Sequence, residues 1–152
     1  MEAARINHEF GAARAARWQH TAFVGATSAA AALSVAAAMI HAYVMPQHFA
    51  EWWGYGVFFL ISTLAQGAGA VTLAGWPRRS LFLAGVAGNL LILTVWALSR
   101  TVGIPLLGPG AGEVEPIGLL DVLCAIVESL TVVLLAALAV APEADGEPAA
   151  GA

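Results

Sequence analysis

The chain has 152 residues, of which 60% are hydrophobic and only 11% charged, and its mean hydropathy is +0.80. A soluble domain carries about 25% charged residues, and one this short cannot hide so much apolar surface in a single core; a disordered chain would be poor in aliphatics and rich in charge. Both classes are excluded, which leaves an integral membrane protein. The formal charge of −4 comes without a basic patch, so there is no electrostatic footprint for nucleic acid. The 34 alanines and the absence of lysine point to the codon usage of a high-GC bacterium.

In chain order, residues 1–20 are rich in Ala and Arg and suit a short helix lying on the inner membrane surface. Four stretches then qualify to cross about 30 Å of hydrocarbon: roughly 21–43, 53–75, 80–98 and 117–140. The apolar part of the first is about 20 residues, longer than the core of a signal peptide, so it is read as a retained span. All seven prolines fall outside the four spans, as helix breakers should. Residues 141–152, APEADGEPAAGA, have the composition of a disordered acidic cytoplasmic tail.

Short cytoplasmic segments carry the excess of basic residues. Arg5, Arg14 and Arg17 precede span 1 and Arg78 and Arg79 fill the turn between spans 2 and 3, whereas the other side has only Arg100. The expected fold is therefore all-α: an antiparallel four-helix transmembrane bundle with N and C termini cytoplasmic. Trp18 and Trp76 would mark the inner interface, and Tyr43, Trp52, Trp53, Tyr55 and Trp96 the outer one. Helices in lipid associate through small residues and polar contacts, for which Ala26, Ala30, Ser34 and Ala38 in span 1 and Ala84 and Gly88 in span 3 offer surfaces at intervals of four. There is no internal repeat of the transporter kind.

Acids inside a span are expensive and mark candidate sites. Asp121 and Glu128 are seven apart on one face of span 4, with Cys124 between them. At about 1.5 Å per residue they lie roughly 6 Å and 16 Å below the outer end. Gln66 and Asn89 fall near the depth of Glu128, so Gln66, Asn89 and Glu128 are expected to form a midplane polar cluster. That cluster reads either as a packing clasp that fixes helix register or as a group handling a proton or cation.

The outer end, HAYVMPQHFAEWW, provides a second candidate. Pro46 can open a short helix at its first turn, which sets His48 and Glu51 on one face. His41, His48, Glu51 and Asp121 form a transition-metal ligand set by residue type, although compact HExxH spacing is absent, and a histidine beside interfacial tryptophans also fits a headgroup-level role. The loop SRTVGIPLLGPGAGEVEP, 99–116, is a turn-rich cap. Glu51, Glu113, Glu115 and Asp121 against Arg100 leave the outer face negative and attractive to cations; alternatively Arg100 pins the loop by pairing with Asp121 or Glu51.

Enzyme signatures are lacking. One cysteine excludes an intramolecular disulfide and paired-thiol redox chemistry, the histidines do not pair at matching depth for haem, and no phosphate loop or nucleophile elbow occurs. A transition metal is left open as cofactor, with neither haem nor nucleotide expected. The expected partners are the lipid bilayer and a membrane protein or second copy, with no nucleic acid. Two functions follow: binding or conducting a cation, proton or transition metal, or serving as a non-catalytic accessory subunit or scaffold.

The segments PQHFAEWWGYGVFFL, SRTVGIPLLGP and GEVEPIGLLDVLCAIVE resemble a family of uncharacterised four-helix membrane proteins from bacteria, actinobacteria especially. The resemblance spans about 21–140. It implies a bacterial inner-membrane location and brings no activity or site residue with it.

Overall fold

The structure, a computed structural model, describes residues 1–105 and 107–141, with the side chains of residues 3, 4, 6, 7, 9 and 12 left aside. The tail expected to be disordered lies, from Pro142 onward, outside the described residues. The described residues form four helices: α1 (Glu2–Glu51), α2 (Trp53–Gly75), α3 (Arg79–Thr101) and α4 (Leu119–Val140). Among the described residues there is no strand. All four helices are long and apolar enough to cross a membrane, α1 through its segment Ala13–Glu51.

The first helix departs from the expected boundaries. Instead of a surface helix, a span and a new helix opened by Pro46, α1 runs unbroken for 50 residues with Pro46 inside it. Alanine is the strongest helix former, and it carries the chain from the N-terminal segment into the span without a break. Pro46 removes one N–H donor from a ladder that continues on both sides, a tolerable loss on an exposed face.

Packing is inverted relative to a soluble protein. Thr27, Ser34, His41, Ser62, Gln66, Asn89, Ser99, Glu128 and Thr131 are buried, while Ile61, Leu64, Val71, Leu91 and Val133 are exposed. In water that distribution would be unfavourable; against hydrocarbon it turns the polar groups toward one another and leaves the aliphatic side chains to the lipid. The apolar core is confined to one end, where Ala30, Leu73, Phe82, Leu135, Leu138 and Ala139 pack together. Phe23 meets Phe82 edge to face there, with ring centroids 6.2 Å apart.

Small residues do bring helices together, though not all those expected. Ala30, Ser34 and Ala38 are buried on α1. Ala84 and Gly88, however, are exposed, and the close approach on α3 is at Gly85, where an added Cβ would stand 2.6 Å from Cδ1 of Leu135. The stripe at 84 and 88 is displaced by one residue because Asn89 turns inward and carries position 85, one turn earlier, with it. α1 packs chiefly on α2 and α4, and α3 on α4, whereas α2 and α3 touch little despite the short turn between them.

At the opposite end from the apolar core, α1 and α2 are joined by Trp52 alone, in extended conformation. The close reversal brings the Phe49 ring over Gly56, where a side chain would collide with it. The segment from Val102 to Gly118 turns back over the bundle, held by Gly112 N to Ile104 O and Glu115 N to Ser99 O, each 3.0 Å.

Candidate functional site

Every helix supplies one polar side chain to a buried network around Glu128. On α4 the positions 121, 124, 128, 131, 135 and 138 advance by threes and fours and so share one face; Cys124, Glu128, Thr131, Leu135 and Leu138 are buried along it. The facing seam of α1 runs through Thr27, Ala30, Ser34, Ala37 and His41. His41 is ten residues before the end of α1 and Glu128 nine after the start of α4, so at about 1.5 Å per residue both lie some 14 to 15 Å deep.

The contacts follow from that register. His41 Nε2 is 2.9 Å from Glu128 Oε1, with 4% and 2% of the two side chains exposed. Gln66 of α2 donates from Nε2 to the same oxygen at 3.1 Å and reaches Asn89 Oδ1 of α3 at 3.4 Å. Asn89 in turn donates from Nδ2 to the Gly85 carbonyl at 2.8 Å, which orients its amide. Cys124, one turn before Glu128, brings Sγ to 3.7 Å from His41 Nε2. Among the described residues, His41 Nδ1 and Gln66 Oε1 are buried with no hydrogen-bond partner.

Above this floor is a cavity of about 250 Å³, walled by Trp52, Tyr55, Phe58, Phe59, Ile92 and Trp96 and bordered by His41, Cys124, Glu128, Arg100 and Asp121. Apolar walls with a few convergent polar groups are the usual form of a binding site. Phe59 stands between the two histidines, its centroid 5.5 Å from His41 and 3.9 Å from His48. His48 is held by Nδ1 to Val44 O at 2.9 Å.

The mouth is tied by Arg100. Its side chain is 10% exposed, and its guanidinium binds Asp121 Oδ1 at 2.9 Å and pairs with Glu115. The other oxygen of Asp121 accepts from Gly118 N at 2.7 Å and so caps α4. Tyr55 donates its hydroxyl to Leu107 O at 2.9 Å, and the loop passes close over its ring because position 108 is a glycine with φ +76.

The residues singled out from sequence divide accordingly. Gln66, Asn89 and Glu128 meet, and Arg100 pairs with Asp121, one of the two acids expected to hold it. His41, His48 and Asp121 border the cavity, but Glu51 is exposed and bonded to Gln47 at 3.3 Å, away from it. The set His41, His48, Glu51 and Asp121 is thus not gathered around one point. Among the described residues, the trio whose ligand atoms all lie within 4.8 Å of one another is His41, Cys124 and Glu128. Nothing in the spacing pairs Cys124 with His41, since they are 83 residues apart. Trp52, Tyr55 and Trp96, expected at the outer interface, line the cavity.

No family model, curated protein or solved structure matches the chain. The chemistry available is therefore that of the side chains: an imidazole and a carboxyl able to hold one proton between them, a thiol beside both, and two amides that fix the carboxyl.

Proposed function

We propose that the protein is a four-span protein of a bacterial cytoplasmic membrane, its helices antiparallel and both termini on the cytoplasmic side, that binds a cation entering from the outer face. The Arg distribution supports the orientation. The cation reading is carried by one observation: a carboxyl group 2% exposed within an apolar span is met at the base of a cavity by His41 of α1 and Gln66 of α2, with Asn89 of α3 behind Gln66. Buried acids are costly in a membrane and persist where they serve a proton or an ion. Protons and metal ions both fit an imidazole and a carboxyl at 2.9 Å.

Infrared difference spectra of protein in liposomes test this. The carboxyl band of Glu128, identified by its loss in Glu128→Gln, should shift when the outer pH or the cation is changed. A wild-type spectrum unmoved by pH and by every cation would overturn it. The scaffold reading, in which Gln66, Asn89 and Glu128 only fix helix register, draws on the same hydrogen bonds and would then stand.

A further inference from the structure

We propose that His41, Cys124 and Glu128 form a binding site for a single divalent metal ion of the zinc class, with its fourth position open to the cavity. The inference rests on the cation reading above and names the ion and its ligands. His41 Nε2, Cys124 Sγ and a Glu128 oxygen all lie within 4.8 Å of one another and all three residues are buried. In a tetrahedral site with metal–nitrogen, metal–oxygen and metal–sulfur distances of about 2.0, 2.1 and 2.3 Å, neighbouring nitrogen and sulfur atoms stand about 3.5 Å apart and nitrogen and oxygen about 3.4 Å. The separations here are 3.7 Å for sulfur to nitrogen and 2.9 Å for nitrogen to oxygen. An opening of roughly half an ångström between His41 and Glu128 admits the ion.

Charge decides which ion. A thiolate, a carboxylate and a neutral imidazole bring two negative charges, so a divalent cation makes the site neutral. A monovalent one would leave a net charge buried in low dielectric, which is expensive. The thiolate selects zinc-like metals over magnesium or calcium. Binding releases the thiol proton and any proton shared by His41 and Glu128 into the cavity. Gln66, which donates to Glu128 Oε1, then orients a ligand from outside the coordination sphere, and the cavity above supplies the fourth partner, a water molecule or a donor atom of whatever receives the metal.

The test is titration of the purified, chelator-stripped full chain in detergent with Co²⁺, then displacement by Zn²⁺. A thiolate-to-cobalt charge-transfer band and intense visible bands at one ion per chain are expected, with Zn²⁺ abolishing both and raising the unfolding temperature. Cys124→Ser should lose the charge-transfer band while unfolding normally without metal. His48→Ala with Glu51→Ala should leave both bands, and Gln66→Ala should weaken binding about tenfold. A wild-type chain that shows no cobalt bands, or a Cys124→Ser chain that keeps the charge-transfer band, overturns the site. If the bands are missing while the infrared response to pH persists, the metal is excluded and the proton reading survives; if both are missing, both fail.

Discussion

His41 Nε2 and Glu128 Oε1 stand 2.9 Å apart although 87 residues separate them, and the contact ties α1 to α4 at a depth where neither side chain reaches lipid. Removing the carboxyl would take one of its two acceptors from the Gln66 amide and the carboxyl partner from the His41 ring. Each such loss costs about 1–3 kcal/mol when the site is dry. Glu128→Ala should therefore destabilise the bundle by about 2–4 kcal/mol, whereas Glu128→Gln, which keeps an acceptor oxygen, should cost about 1 kcal/mol, close to the average worth of an interhelical bond in a membrane. Reversible unfolding in mixed micelles measures both.

Gly85 and its neighbours give a second prediction. A methyl group at position 85 points at Leu135, which is 1% exposed and has little room to move. Gly85→Ala should cost about 1–2 kcal/mol through overpacking, and Leu135→Ala in the same chain should recover part of it. Gly88→Ala meets nothing within 4 Å and should be neutral or stabilising, since glycine in a helix is worth less than alanine. Equal effects at 85 and 88 would contradict the packing described.

The mouth can be followed with the chain's own thiol. Cys124 is the one cysteine, it is buried, and it borders the cavity, so its modification by a small maleimide reports opening. Arg100→Gln should speed labelling several-fold by freeing the loop at Glu115 and untying the ends of α3 and α4 at Asp121. Tyr55→Phe should do so less, because the lost bond, to Leu107 O, is at an exposed position. Unchanged labelling in Arg100→Gln would mean that the guanidinium does not hold the loop.

Asp121 and Glu115 share Arg100 unequally. Glu115 is 45% exposed, and a pair so open to water contributes about 0–1 kcal/mol. Asp121 adds an N-cap bond to Gly118 N, worth about 1 kcal/mol in its own right. Asp121→Asn should thus lower thermal stability more than Glu115→Gln, and raising the salt concentration should shrink the difference that Glu115 makes more than that of Asp121.

The four spans were legible because a membrane helix needs only a sustained apolar run, and Gln66, Asn89 and Glu128 because polar residues at one depth must find one another. Where α1 ends was not legible. Taking Pro46 as a break puts His41 at the surface; the unbroken helix to Glu51 sinks it about 15 Å, to the level of Glu128. The contact of Cys124 with His41 follows from that depth. Likewise Trp52, Tyr55 and Trp96 have the composition of an interfacial belt, and only the fold of the 102–118 segment over them makes them a wall.

The packed end formed by Leu73, Phe82, Leu135 and Leu138, with Phe23 against Phe82, turns the cavity into a cul-de-sac. On the proposed cation reading, an ion at Glu128 would face this packed apolar end and would leave the way it came, which would make the resting molecule a receptacle rather than a conduit. Onward passage would require the aromatic pair to part, which makes Phe23 and Phe82 the place where storage and transport diverge.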